Sequence, residues 1–148
     1  MKIATWNVNS LKVRLPHLLD WLAALPIDVV CLQETKLIDD KFPVEALSAA
    51  GYDVVFSGQP TYNGVAILTR RDTVGAPADV LIGNPLYPDE QRRLISATVA
   101  GVRVICAYVP NGQTVDSDKY RYKLEWLDRL IDWIGQQAAQ GVPLALAG

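Results

Sequence analysis

The stretch DVVCLQETK, residues 28–36, is an apolar segment that ends on a carboxylate. Val29 to Leu32 show no alternation of polar and apolar side chains, which is typical of a short strand covered on both faces. Glu34 follows where this strand should reach the surface, and a carboxylate at the end of a buried strand requires a partner. The stretch therefore predicts an inner strand of an α/β sheet that presents Glu34 at its carboxyl end.

The composition of the chain is that of one globular domain. Its 148 residues suit a single domain, and a content of 50% hydrophobic and 20% charged residues excludes a disordered chain. The formal net charge is −2 and the isoelectric point is about 5.3, so no overall basic character indicates nucleic acid. An anionic ligand would have to be met by a local basic patch or by a metal ion.

Two cysteines and the first residues indicate the cellular compartment. Cys31 and Cys106 lie in the apolar runs VVCL and VICAY, which favours two buried thiols in a reducing compartment over a disulfide or a metal site. The start MKIATWNVN lacks the apolar core of a signal peptide, and no apolar run approaches the ~20 residues of a membrane span. We therefore expect a cytoplasmic protein without a membrane partner.

The hydrophobic periodicity predicts a mixed α/β fold. Strands are expected at residues 2–8, 28–33, 52–58, 64–70, 94–100, 102–110 and 142–148, and helices at 10–25, 42–50 and 118–139. A weaker strand is expected within 73–83, which contains Pro77 and two glycines. Pro16 is expected in the first turn of the first helix. The last strand has the fully buried composition and stands at the end of the chain, where a solvated segment is usual.

Asn7 and Glu34 occupy equivalent positions, each at the carboxyl end of an early strand. If the two strands are neighbours, both side chains meet at one edge of the sheet, where open α/β sheets bind ligands. An amide oxygen with a carboxylate suits Mg²⁺ or Mn²⁺, and no cluster of cysteine and histidine suits a softer metal. The more common interpretation of such residues is structural, with Asn7 capping the first helix and Glu34 paired with Lys36.

Three further segments contain residues that could contact an anion. In YVPNG, residues 108–112, Tyr108 and Asn111 follow a buried strand, although the segment also suits a plain turn. Arg92 and Arg93 precede another strand, and KYRYK, residues 119–123, mixes basic and aromatic side chains at the start of a helix. A solvated helix face is the commoner explanation of KYRYK.

Two other polar positions point less clearly to chemistry. Tyr62 and Asn63 precede a strand closely, and the first interpretation of this segment is a hairpin turn. His17 is the only histidine and belongs to the first helix, so the chain offers no nucleophilic triad and no evident general base. One carboxylate and one amide make an incomplete magnesium site.

Six segments together resemble the exonuclease III family, which comprises magnesium-dependent apurinic/apyrimidinic endonucleases and 3′ exonucleases of the wider endonuclease/exonuclease/phosphatase superfamily. They are TWNVNSLKVR (5–14), VVCLQETK (29–36), NGVAILTR (63–70), QRRLI (91–95), YVPNG (108–112) and LALAG (144–148), and they occur in the order of that family. The resemblance covers the whole chain and implies a magnesium-dependent nuclease, with Mn²⁺ as an alternative metal, that acts on double-stranded DNA at abasic sites or 3′ ends.

The resemblance also implies a role for individual residues. Glu34 corresponds to the metal-binding glutamate, and Asn7 to the asparagine that acts beside it in the metal and phosphate site. Tyr108 corresponds to the active-site tyrosine that contacts the scissile phosphate. The positions that correspond to DNA contacts are Lys36, Tyr62, Arg93 and Asn111. Thr114 stands where some relatives carry an arginine that enters the duplex, so that contact is not expected here.

The chain departs from the family pattern after Gly148. In the family, the strand that resembles LALAG runs into an aspartate-x-asparagine motif, and a second half ends in a serine-aspartate-histidine motif. We therefore interpret residues 1–148 as a partial domain, the amino-terminal half of a four-layer α/β sandwich, with a mixed β-sheet inside and helices outside. The missing half is expected to cover the exposed face of this sheet, and the chain alone is expected to be inactive and only marginally stable. Two alternatives are a non-catalytic half-domain and another phosphodiesterase of the superfamily, acting on a phosphorylated small molecule or lipid.

Overall fold

Residues 1–148 are all described by the computed structural model, which consists of eight strands, three α-helices and one 3₁₀ turn. The elements in chain order are β1 (Ile3–Asn7), α1 (Leu11–Ala24), β2 (Val29–Gln33), the 3₁₀ turn (Asp39–Lys41), α2 (Val44–Ala49), β3 (Tyr52–Ser57), β4 (Val65–Arg70), β5 (Ala78–Ile82), β6 (Leu94–Val99), β7 (Val102–Ala107), α3 (Asp118–Ala138) and β8 (Leu144–Ala147). The predicted elements are all present, including the weak strand β5.

The strands form two four-stranded sheets, in the orders β1-β2-β4-β3 and β5-β6-β7-β8. In the first sheet β1 and β2 are parallel, because α1 carries the chain back between them, and in the second sheet β7 and β8 are parallel across α3. All other neighbours are antiparallel. Both sheets are therefore mixed, and the predicted α/β class is confirmed.

The two sheets pack face to face. The apolar core between them contains only strand residues, contributed by β2 and β4 of one sheet and by β6 and β7 of the other: Val29, Cys31, Val65, Ile67, Ile95, Ala97, Val99, Val104 and Cys106. The expectation of one sheet with an uncovered face is wrong, because the second sheet already covers the inner face of the first. The apolar runs in these strands are explained by burial on both faces.

Helices cover the outer faces and complete four layers. Leu18 and Leu22 of α1 and Leu47 of α2 pack on the first sheet, and Trp126 and Trp133 of α3 pack on the second. The expected marginal stability depended on an apolar sheet face left exposed to water. The chain itself covers the inner and outer faces of both sheets, so this cause of low stability is absent.

One lateral side of the sandwich has open strand edges. β2 packs against β7, while β3 and β4 pack against β6, so the edge strands β1 and β8 lie on the same side. Their side chains are partly exposed, with Ile3 at 37% and Leu146 at 50% of their accessible surface. Such edges present unpaired backbone groups that further strands could join.

Some local details differ from the expectations. α1 begins at Leu11, so Pro16 lies inside the helix, one turn later than predicted. Both thiols are fully buried and free, as expected, and a hydrogen bond with Cys106 together with burial raises the pKa of Cys31. None of the helices has the length and apolar character needed to cross a membrane.

Candidate functional site at one rim of the sandwich

Asn7 and Glu34 lie side by side at the carboxyl ends of β1 and β2. The two strands are parallel neighbours in which Asn7 stands opposite Gln33, so the next residue, Glu34, emerges beside it. The Asn7 Nδ2 group donates a hydrogen bond of 2.9 Å to Glu34 Oε1. The predicted convergence of these two residues is confirmed, and Asn7 orients the carboxylate.

Lys36 and Asn9 complete a small polar network around the carboxylate. Lys36 Nζ lies 3.5 Å from Glu34 Oε2 and donates a hydrogen bond of 2.6 Å to Asn9 Oδ1. The backbone amide of Asn9 donates to Asn7 Oδ1 at 3.1 Å. The structural interpretation predicted that Glu34 pairs with Lys36 and that Asn7 caps α1. Its first half is right, because Glu34 does pair with Lys36. Its other half is wrong, because the Asn7 amide faces Glu34 and Asn9 and does not cap α1.

The backbone around this network is held in an uncommon conformation. Asn9, Glu34 and Lys36 have φ values of 43°, 54° and 55°, in the left-handed region. They are fixed by backbone hydrogen bonds, including those from Lys36 to Asn63 and from Thr35 to Gly64. Gly64 is required here, since a Cβ atom on it would lie 2.1 Å from Thr35 Oγ1. Left-handed residues that cluster in this way are typical of functional sites.

The environment of Glu34 favours its ionised form. Partial burial alone would raise the pKa of this carboxyl, but hydrogen bonding with Asn7 and Tyr108 and the charge of Lys36 outweigh burial and lower the pKa. Glu34 is therefore an anion at neutral pH, and 21% of its side chain is exposed. An ionised, accessible carboxylate is the form that binds a cation.

Tyr108 brings the second sheet to the same rim. It follows the end of β7, and its backbone amide donates a hydrogen bond of 2.7 Å to the carbonyl of Arg93. Burial raises the pKa of the Tyr108 phenol, and the neighbouring Glu34 carboxylate raises it further, whereas Arg93 opposes both. The phenol is therefore protonated at neutral pH and can donate a hydrogen bond.

Arg93 lies close to two tyrosine rings. Its guanidinium carbon lies 4.7 Å from the ring centroid of Tyr108 and 5.9 Å from that of Tyr122. Its Nε donates a hydrogen bond of 2.7 Å to Gln91 Oε1, and its Nη1 donates one of 3.3 Å to the Tyr108 carbonyl. Arg93 is half-buried, whereas the neighbouring Arg92 is exposed.

A cleft of about 550 Å³ adjoins this rim. It brings together residues that the sequence singled out, among them Tyr62, Asn63, Arg93, Tyr108, Asn111 and Lys119. Aromatic rings, side-chain amides and two cations are the groups that contact nucleic acid backbones and bases. Glu34, Asn7 and Lys36 do not line the cleft but lie next to it through Tyr108.

Some residues of the site were missed by sequence reasoning. Tyr122 donates a hydrogen bond of 2.5 Å to Asp89 Oδ2, and Gln59 accepts one of 2.8 Å from the Arg92 amide. Tyr122 belongs to the predicted KYRYK segment, but only the fold shows that Tyr122 and Lys119, and not the whole segment, line the cleft. His17 is exposed on α1 and belongs to no part of the site.

The donors at the rim fit part of a magnesium site. No group of three or more histidine, cysteine, aspartate or glutamate side chains is placed to hold a metal ion. Glu34 supplies a hard carboxylate, and the amide oxygen of Asn7 has a lone pair beyond its bond to Asn9. Mg²⁺ commonly uses one or two carboxylates and completes its shell with water and phosphate, so this donor set fits such an ion.

Comparison with known proteins identifies the chain's relatives. The Endonuclease/Exonuclease/phosphatase family matches residues 4–148. Exodeoxyribonuclease III of Haemophilus influenzae is 30% identical over 155 residues, which cover 100% of this chain and 56% of that protein. The chain thus spans about half the length of this relative.

Solved structures agree with this comparison. The 3′-5′ exonuclease of Neisseria meningitidis superposes with a TM-score of 0.93 at 50% identity, over 99% of this chain and 56% of that one. A 3′ phosphatase from Neisseria bound to a product DNA hairpin superposes with a TM-score of 0.89 at 51% identity, over 94% of this chain and 53% of that one. An AP endonuclease from Archaeoglobus fulgidus superposes with a TM-score of 0.86 at 45% identity, over 92% of this chain and 51% of that one.

The fold, the rim and these matches define a class: the chain belongs to the Endonuclease/Exonuclease/phosphatase family. Within that family its relatives are exodeoxyribonuclease III and AP endonucleases, which are hydrolases. The resemblance stated from the sequence is confirmed.

Proposed function

We propose that the chain forms part of a metal-dependent DNA repair nuclease, which hydrolyses phosphodiesters of double-stranded DNA at abasic sites and at 3′ ends. The observation that carries this proposal is the rim where Asn7 orients the ionised Glu34 carboxylate next to the Tyr108 phenol. The names of the relatives, an exodeoxyribonuclease and an AP endonuclease among them, support DNA as the substrate.

Glu34 would hold the metal ion, with Asn7 beside it as orienting group and second oxygen donor. We assign Mg²⁺, with Mn²⁺ as the alternative, because both donors are hard oxygens. When bound, the ion would neutralise charge on the scissile phosphate and its leaving oxygen. Tyr108, protonated at neutral pH, would donate a hydrogen bond to the same phosphate. Two cysteines that are free and buried support a reducing, cytoplasmic location.

DNA would lie across the rim and the adjoining cleft. Lys36, Tyr62, Arg93 and Asn111 are the proposed DNA-binding residues, and Lys119 adds a cation to the cleft. Since the net charge of the chain is −2, attraction to DNA has to be local. Affinity for a duplex is expected to fall as salt increases, with a shallow slope that reflects few phosphate contacts, and fluorescence anisotropy at several salt concentrations measures it. An affinity that salt does not change would contradict a phosphate-binding surface.

We further propose that this unit is a partial domain whose activity needs the part of the fold found in its longer relatives. The chain covers 56% of the Neisseria exonuclease, and the open edges of β1 and β8 lie together on one side, where added strands would extend both sheets. The rim holds one carboxylate and no histidine, so a base or proton donor would have to come from that part. The chain by itself is therefore expected to be inactive.

Reconstitution tests both proposals. Residues 1–148 are mixed with the remaining carboxyl-terminal part of the Neisseria exonuclease and assayed on an abasic duplex and on 3′ ends in magnesium. We expect cleavage from the mixture and none from either part. Glu34→Gln should abolish most of that cleavage, while Glu45→Gln, an exposed glutamate on α2, should leave it unchanged. Undiminished cleavage by Glu34→Gln would refute the metal-binding role. Release of phosphate from inositol phosphates, without DNA cleavage, would favour a different phosphodiesterase.

A further inference from the structure

Arg93 makes its contacts within the protein. Its guanidinium carbon lies near two tyrosine rings, with centroid distances of 4.7 Å to Tyr108 and 5.9 Å to Tyr122. Two of its N–H groups donate to Gln91 and to the Tyr108 carbonyl. An arginine that serves mainly to bind phosphate keeps its planar fork directed at the ligand, whereas two of the five N–H groups of this fork donate to neighbouring residues.

The groups that hold Arg93 are themselves held by a single carboxylate. Asp89 Oδ1 accepts a hydrogen bond of 2.9 Å from the backbone amide of Gln91, and Asp89 Oδ2 accepts one of 2.5 Å from the Tyr122 hydroxyl. The loop before β6 and the start of α3 thus meet at Asp89. Asp89 therefore holds both Gln91, which accepts from the guanidinium, and Tyr122, whose ring lies near it.

Arg93 in turn restrains Tyr108 at three points. Its carbonyl accepts the Tyr108 amide at 2.7 Å, its Nη1 donates to the Tyr108 carbonyl at 3.3 Å, and its guanidinium covers the ring. The phenol of that ring lies near enough to the Glu34 carboxylate for each group to shift the pKa of the other. Restraint of the backbone and the ring leaves the hydroxyl with little freedom to move away from the rim.

We propose that Arg93 is a positioning residue, which holds the Tyr108 phenol at the Glu34 rim through its planar guanidinium. This role deepens the proposed function and rests on it in one respect, since Tyr108 is taken to contact the scissile phosphate. It also separates two possible roles for Arg93. A phosphate contact acts only when DNA is bound, whereas positioning restrains the Tyr108 ring in the free chain and needs the flat guanidinium that lysine lacks.

The test follows Tyr108 directly by NMR in the 148-residue chain with ¹³C-labelled tyrosine rings. Tyr108→Phe assigns its ring signals among the six tyrosines. In both Arg93→Met and Arg93→Lys, the Tyr108 signals should shift and its ring should flip faster, on the order of tenfold. Arg129→Met and Arg129→Lys are the matched controls, because Arg129 is exposed on α3 and contacts only Asp132 among charged groups. Neither control should alter the Tyr108 signals.

Opposite outcomes distinguish the roles. Unchanged Tyr108 signals in Arg93→Met, or signals in Arg93→Lys that match the wild type, would overturn the proposal in favour of a charge contact alone. If Arg93→Met does not fold, Gln91→Ala replaces it, since it removes the acceptor that aims the guanidinium and keeps the charge. Faster Tyr108 flipping in Gln91→Ala supports positioning, and an unchanged rate refutes it. The NMR result does not depend on nuclease activity, so it can fail or succeed separately from the proposed function.

A kinetic measurement in the reconstituted nuclease adds a second readout. Arg93→Lys should lower kcat by about tenfold or more and leave KM for the duplex nearly unchanged, because a misplaced group costs rate and not binding. The double variant with Tyr108→Phe should be no slower than Tyr108→Phe alone, since Arg93 acts through that ring. A raised KM at unchanged kcat, or additive losses, would overturn the positioning role.

Discussion

Replacement of Ile67 by alanine should strongly destabilise the chain, because Ile67 lies in the core between the two sheets. Its side chain is fully buried in β4 and belongs to the same cluster as Ile95 of β6. The change removes three carbon atoms, which corresponds to roughly 2.4 kcal/mol at about 0.8 kcal/mol for each buried methylene. The cavity left between two paired sheets adds to this loss, so a total of about 2–5 kcal/mol is expected.

Equilibrium unfolding in urea, followed by tryptophan fluorescence, measures this loss. A domain of this size has a net stability of about 5–15 kcal/mol, so the variant should remain folded but unfold at a clearly lower urea concentration. Ile82→Ala is the matched control, since Ile82 is also a strand isoleucine but lies 51% exposed on β5. Its loss should be within about 1 kcal/mol, as is usual for exposed positions.

The comparison of the two variants decides whether the inner faces are packed. If Ile67→Ala costs no more than Ile82→Ala, the inner face of the first sheet is accessible to water and the stacked arrangement is wrong. A single cooperative transition in the wild-type chain is also expected, because both sheets share this core. A chain that binds hydrophobic dyes and unfolds without cooperativity would contradict the four-layer packing.

Two further outcomes are expected. Because the pKa of Glu34 is lowered in the folded chain, its contribution to stability is complete above its ordinary value of 4.5 and is lost as pH falls through the lowered value. Glu34→Gln should therefore flatten the acid limb of stability against pH, measured by urea unfolding at several pH values. Gly64→Ala should cost more than Gly51→Ala, since both have φ above 90° but only Gly64 would place a Cβ against Thr35. Equal losses in denaturant unfolding would contradict the close approach.

The sequence predicted the elements of the fold well, because their signals are local. Apolar runs mark β2 and β4, apolar-rich segments mark β6 and β7, and helical spacing marks α1 and α3. The pairing of strands is not local, and the same runs suit one sheet covered by helices or two sheets packed together. The assumption of a single sheet failed for this reason. The apolar composition of both faces of β4 was the signal that a second apolar layer lay opposite.

The candidate site was predictable only where chain order and strand geometry coincide. Asn7 and Glu34 meet because parallel neighbours end at the same edge, and that rule is available from the sequence. The environment of Arg93 depends on Tyr108 and Tyr122, which come from a strand end and a helix far along the chain. The sequence alone therefore indicates only a possible phosphate contact for Arg93, whereas the fold shows its guanidinium near two tyrosine rings.

The division of the site between the two sheets explains why its rim depends on the core below it. The first sheet carries the carboxylate, Glu34, and the second sheet carries Tyr108 and Arg93. Between them lie the buried thiol of Cys106, which donates to the Leu32 carbonyl at 3.3 Å, and the inter-sheet core. The spacing of the sheets therefore sets where the phenol stands relative to the carboxylate. Since well-packed cores adjust little, a site placed on two stacked sheets gains a fixed geometry without further contacts across the rim.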